Sequence, residues 1–188
     1  MNATALLFAA ALLGAPATDP TAMLEHGPIV SIEQSAAGKF QRCTALAKVN
    51  APIAKVWQVV LDYAHYKDFV PKVVDSEVVG QDATHVDVRF EIDVPGVNTK
   101  YVMRHYLHPE THTVEMNWMK GDLKGSRWVL HLEPTADGKT LLSYSGASQH
   151  FSAILEDLED SQQTITVGVN VSSALTVVKA LQARAERK

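Results

Sequence analysis

The sequence predicts an α+β fold: a curved antiparallel β-sheet wrapped around one long C-terminal helix, with an apolar cavity between them. Three observations predict it. Apolar residues recur at helical spacing from Ile53 to Ala64, at alternate positions between Val73 and Ser148, and at helical spacing again from Val171 to Ala185. A sheet with one apolar face and a helix with one apolar stripe each need a cover, and each can cover the other. The chain of 188 residues suits a single core. Its 46% hydrophobic and 20% charged residues exclude disorder, and a net charge of −4 supplies no basic field for nucleic acid.

Taken in order, residues 5–13 (ALLFAAALL) form an uncharged apolar run, followed by Gly14, Ala15, Pro16 and Ala17. That run is short for a membrane span. It fits the h-region of a signal peptide over residues 1–17, although no Lys or Arg precedes it. A periplasmic or secreted location is the expectation, with a cytoplasmic one as the alternative. Residues 18–28, punctuated by Pro and Gly, read as a linker, and 29–188 as the folded domain. No later stretch reads as transmembrane.

Ile29 to Glu33 and Phe40 to Val49 alternate like strands, and Ser35-Ala36-Ala37-Gly38 joins them as a hairpin. Asn50 and Pro52 then stop the strand and open a helix, Asn as a cap and Pro in the first turn. Ile53, Val56, Trp57, Val60 and Ala64 make its stripe. Tyr63, Tyr66, Phe69 and Val70 continue an aromatic-rich turn that Pro71 ends.

From His85 to Val94, charged and apolar residues alternate without a break, the pattern of a strand with one wet and one buried face. If Pro95 and Gly96 are the two central residues of the next turn, Val94 pairs with Val97 and Phe90 faces Tyr101. The inward set then becomes Tyr101, Met103, His105 and Leu107. A turn longer by one residue instead points Arg104 and Tyr106 inward; the first register buries the more apolar set. Val114, Met116 and Trp118 follow, then Trp128, Leu130 and Leu132, then Leu142 and Tyr144, in successive hairpins. Val171, Ala174, Leu175, Val178, Leu181 and Ala185 form the stripe of the last helix.

A curved sheet and one helix cannot fill all the space between them. The large inward side chains therefore become candidate ligand contacts: Phe90, Tyr101, Met103, Met116, Trp118, Trp128 and Tyr144, with His105 as the polar group that orients a ligand oxygen. For each, plain core packing is the competing interpretation. His105, His108 and His112 do not share a strand face, and no acidic residue stands at ligand spacing, so no metal is expected. Glu91, Asp93 and Glu115 fall on wet faces, and no nucleophile motif or phosphate loop is present, so no catalytic residue and no cofactor are assigned. Cys43, the lone cysteine, reads as a small buried hydrophobe. Phe151, Ile154, Leu155 and Leu158 form a short amphipathic piece, either a lid over the cavity or a helical connection.

Val49-Asn50-Ala51-Pro52, Val56-Trp57, Leu61-Asp62-Tyr63, Tyr66 and Phe69-Val70-Pro71 are followed by Val74, Ser76-Glu77-Val78, Gly121, Gly125-Ser126-Arg127-Trp128 and Gly138-Lys139-Thr140-Leu141. Together they resemble the START-like (SRPBCC, helix-grip) superfamily, and within it the polyketide cyclase and coenzyme-Q-binding-protein group. The resemblance runs over roughly residues 40–182. It implies the helix-grip fold and a cavity, and hence binding and transport of a lipid, sterol, quinone or polyketide-like molecule. The alternative it implies is a polyketide cyclase or aromatase using the same cavity; a third reading is a filled core with a partner-binding surface. Expected partners are a hydrophobic small molecule and transient contact with a membrane.

Overall fold

Eight strands form one antiparallel sheet in the order β1-β2-β8-β7-β6-β5-β4-β3 in the computed structural model, which describes residues 20–94, 97–148 and 159–187. β1 (Ile29–Gln34) and β2 (Phe40–Val49) are a hairpin. β3 (Val73–Gln81), β4 (His85–Val94), β5 (Val97–His108), β6 (Thr113–Gly121), β7 (Arg127–Pro134) and β8 (Thr140–Ala147) form a meander whose last strand pairs with β2. The chain therefore crosses once from one side of the sheet to the far edge, between β2 and β3. It does so through helix α2 (Ile53–Leu61), a 3-10 turn (Tyr63–His65) and helix α3 (Tyr66–Phe69). Register shifts between Val73 and Asp75, Val78 and Gly80, and Val102 and Met103 bend the strands locally.

The Pro95–Gly96 register is the observed one: Val94 pairs with Val97 and Phe90 with Tyr101. His105 is accordingly inward and buried. Arg104 lies on the outer face, where its guanidinium grips both carboxylate oxygens of Asp87 at 2.7 and 2.8 Å. The outer faces of β3 to β5 are laced by further pairs, Arg89 with Glu77, Lys72 with Asp93 and Lys100 with Glu91. One face of the sheet is thus wet and charged, the other apolar.

Helix α4 (Glu159–Glu186) lies against β2, β8, α2 and α3. Ala174, Val178, Leu181 and Ala185 of its expected stripe are buried, while Val171 and Leu175 are partly open. Each fully buried Val or Leu there stabilises by roughly 1.5–3 kcal/mol. From Gln163 to Glu186 this helix is long and apolar enough to cross a membrane by length and composition, which corrects the sequence reading. Its outward face carries small residues, Gly168, Ser172, Ser173 and Ala183, as much as charged ones.

Three other details differ from expectation. Residues read as linker form helix α1 (Pro20–Met23) and a 3-10 turn (Leu24–His26), pinned by buried Leu24 and by Glu25 paired with Lys48 at 2.7 Å. Pro52, not Asn50, takes the N-cap position of α2, and Glu186 accepts the Asn50 backbone N–H at 2.7 Å. Ala64 leaves the stripe and is exposed because the chain tightens into the 3-10 turn at Tyr63. The apolar leader at 1–17 and the amphipathic piece at 151–158 lie outside the described residues.

Candidate functional site

Strand alternation and register bring every candidate side chain to the concave face. Across the sheet, Val86 pairs with His105, His105 with Met116, Met116 with Trp128 and Trp128 with Gly146. A parallel row runs Leu107, Val114, Leu130, Tyr144 and Ala45. Phe90, Met103, Met116 and Trp128 are buried and belong to the main core, whereas Tyr101, Trp118 and Tyr144 pack against that core and stay partly open. The phenols of Tyr101 and Tyr144 are nonetheless pushed well up by desolvation.

This inward face has two unlike sides. On the β7–β8 side, Trp128 stacks on Tyr144 with centroids 4.6 Å apart and planes 7° from parallel. Gly146 makes room for it: a Cβ there would lie 2.7 Å from the Trp128 ring and 2.2 Å from the Arg127 carbonyl oxygen. The indole N–H donates to Ser148 Oγ at 3.0 Å. Asn170 of α4 closes this side: its Oδ1 accepts the Ser148 backbone N–H at 2.6 Å, and its Nδ2 donates to the carbonyls of Ser148 and Thr166 at 3.1 and 2.8 Å. Trp128, Ser148 and Asn170 are thus all hydrogen-bonded.

On the β4–β5 side, the short helices present Tyr63, Tyr66 and Phe69 to Phe90, Tyr101 and His105. Tyr63 meets His105 edge-on at 4.7 Å between centroids, Tyr66 meets Phe90 at 6.0 Å, and Phe90 meets Tyr101 at 5.7 Å. The Tyr66 hydroxyl donates to the Val60 carbonyl at 2.7 Å. The Tyr63 hydroxyl and both ring nitrogens of His105 are buried with no hydrogen-bond partner among the described residues. Burial lowers the His105 imidazole to about 3, so it is neutral at physiological pH. No Asp, Glu, Lys or Arg among the described residues is buried with it.

At the rim, Trp118 donates its indole N–H to the Asp122 carbonyl at 2.9 Å, which holds its ring beside Met103 across the β5–β6 pairing. His108 and His112 stand elsewhere: His108 Nε2 lies 3.6 Å from Glu115, and His112 packs edge-on against Trp57 at 5.5 Å. Cys43 is fully buried and its thiol is pushed up to about 11, the behaviour of an inert core residue. Glu91 accepts from Asn98 at 2.7 Å and pairs with Lys100 at 3.1 Å on the wet face.

Tyr63 and Asn170 were not among the candidates. Tyr63 was visible only as one of several aromatics after α2, because nothing in a 3-10 turn's spacing tells which strand it faces. Asn170 does stand on the α4 stripe, four residues before Ala174, but a polar residue in an apolar series looks like a gap. Its signal was that very position.

The model of a family described as polyketide cyclase / dehydrase and lipid transport matches residues 49–173. Among curated proteins, no sequence matches. Among solved structures, the chain is similar to the ZhuI aromatase/cyclase from Streptomyces sp. R1128, with 18% identity, a TM-score of 0.66, and 78% of this chain and 94% of that one covered. It is also similar to a STAR-related lipid transfer protein from Xanthomonas axonopodis, with 15% identity, a TM-score of 0.62, and coverage of 84% and 99%. A third is a norcoclaurine synthase from Thalictrum flavum, with 16% identity, a TM-score of 0.54, and coverage of 85% and 96%. At these identities the likeness is one of fold.

Proposed function

The chain belongs to the polyketide cyclase / dehydrase and lipid transport family, and from that premise we propose that it binds and carries a hydrophobic small molecule in the recess between sheet and helix. The observation that carries this reading is the state of Tyr101, Trp118 and Tyr144: large inward rings that the core leaves partly open. Phe90, Met103, Met116 and Trp128 form the floor under them, and His105 supplies polarity. Apolar burial at about 25 cal/mol per Å² then provides most of the affinity. Sterols, other lipids, quinones and polyketide-like ring systems all match such a lining.

A cyclase or aromatase reading draws on one observation, the two unpaired proton-bearing groups Tyr63 and His105. An imidazole held near 3 is a weak base at neutral pH, far from the matched value that efficient proton abstraction needs. The carrier reading is therefore the one adopted. Native mass spectrometry with organic extraction, on protein purified from its own host, tests it: a stoichiometric hydrophobic molecule released on denaturation is the expected result. A bare mass that stays bare after incubation with sterols, quinones and phospholipids overturns it. The same preparation, made separately from periplasmic and cytoplasmic fractions, tests the export expected of residues 1–17.

A further inference from the structure

We infer that Tyr63 and His105 together form a selectivity site for one uncharged oxygen, a carbonyl or a hydroxyl, at the deep end of the hydrophobic ligand. The inference rests on the carrier reading and narrows it to neutral, oxygen-bearing hydrophobes. Tyr63 and His105 come from different parts of the fold, the turn after α2 and the middle of β5, and are 4% and 3% exposed. Their rings touch edge-on, yet the Tyr63 hydroxyl and both His105 nitrogens find no partner in each other or in any other described residue.

Buried polar atoms are nearly always satisfied, and leaving them unsatisfied is costly. Tyr66, Trp128, Ser148, Thr140 and Asn170 are likewise buried, and each is hydrogen-bonded. Among the described residues the exception is confined to these two neighbours on the inward face, and that confinement marks a site.

The available chemistry fixes the class of group. A neutral imidazole offers one N–H and one acceptor nitrogen, and a phenol donates once and accepts. A ligand carbonyl can therefore take two donors, and a ligand hydroxyl can donate to the imidazole while accepting from the phenol. A carboxylate fares badly, because its charge would be desolvated with no buried cation among the described residues to meet it. Arg184, the guanidinium packed on this aromatic cluster, lies 5.6 Å over Phe69, separated from His105 by the run Phe69, Tyr66 and Tyr63.

Calorimetric titration of the full chain with 1-naphthol, 1-methylnaphthalene and 1-naphthoate at pH 7 tests the inference, since the three share one ring system. Wild type should bind naphthol about tenfold more tightly than methylnaphthalene, the worth of one well-made hydrogen bond, and naphthoate most weakly. In Tyr63→Phe and in His105→Leu the ratio of naphthol to methylnaphthalene affinity should fall towards one. A wild-type preference near one, or a preference that survives both substitutions, overturns the selectivity site and leaves the carrier reading standing. Tighter binding of naphthoate than naphthol overturns the neutral-group assignment. No binding of any of the three overturns both readings together. Tyr63→Phe removes a single oxygen atom, so the test does not depend on His105→Leu folding.

Discussion

The two sides of the recess are built from similar residues and obey opposite rules. Each has aromatic rings, a buried polar side chain and a strand of the same sheet. On the β7–β8 side, Trp128, Ser148 and Asn170 satisfy one another and tie α4 to the end of β8. On the β4–β5 side, Tyr63 and His105 touch and satisfy nothing. The first arrangement is what stability selects. The second raises the energy of the folded chain on its own and makes sense only if something else completes it. Burial alone therefore does not separate structural from functional polar residues here; completeness of hydrogen bonding does.

The largest expected effect breaks the satisfied side. Asn170→Ala leaves the Ser148 N–H and C=O buried without a partner and removes the bond to Thr166, which should cost about 4 kcal/mol. Urea unfolding measures it directly. A loss below about 1 kcal/mol would mean that water replaces the amide easily and that the contrast between the two sides is overdrawn.

Next comes Gly146→Ala on the same side. Its methyl group would meet the backbone of Arg127 and Trp128 as well as the indole ring, and backbone cannot swing aside as a flexible side chain can. A loss of about 3 kcal/mol is expected. Near-ultraviolet circular dichroism should also weaken, because the Trp128–Tyr144 stack is the feature displaced. An unchanged spectrum would separate the glycine's role from the stack.

How far the sequence reveals each side follows from the kind of signal each one uses. Alternation over β4 and the two-residue turn after it fixed the register, and with it the inward placement of Phe90, Tyr101, Met103 and His105. Helical spacing located α4 and most of its buried stripe. These are periodic signals, and one residue out of step would have reversed them. The pairing of Tyr63 with His105 is different, since it joins residues more than forty positions apart through a 3-10 turn that has no repeat to read. The Asn170 latch was hidden by residue type rather than by distance. The Pro- and Gly-marked stretch before β1 looked like linker because its helix is too short to show a period.

The third effect belongs to the unsatisfied side and appears only with acid. His105 titrates near 3 in the folded chain and near 6.5 when unfolded, so between those values only the unfolded state takes up the proton. Stability should be flat above about pH 6.5 and fall as pH drops towards 3, by up to about 1.4 kcal/mol per pH unit. His105→Leu removes this contribution. Between pH 6 and pH 4 the variant should lose about 2.5 kcal/mol less than wild type, in paired urea titrations. Parallel curves for the two proteins would show that water reaches the imidazole and partners it.

Tyr63→Phe should have the smallest effect on stability, and its smallness is the sharpest part of the comparison. The substitution keeps the ring, and with it the edge contact to His105 and the packing on Tyr66. It deletes an oxygen that has no partner among the described residues. Deleting a bonded hydroxyl costs about 1 kcal/mol, whereas deleting an unbonded buried one costs nothing or stabilises. Thermal unfolding of ligand-free protein should therefore show Tm unchanged or raised. Tyr66→Phe is the internal control, because that hydroxyl donates to Val60 and its loss should lower Tm. If the two variants fall together, Tyr63 belongs with the structural tyrosines, and the asymmetry between the two sides of the recess disappears.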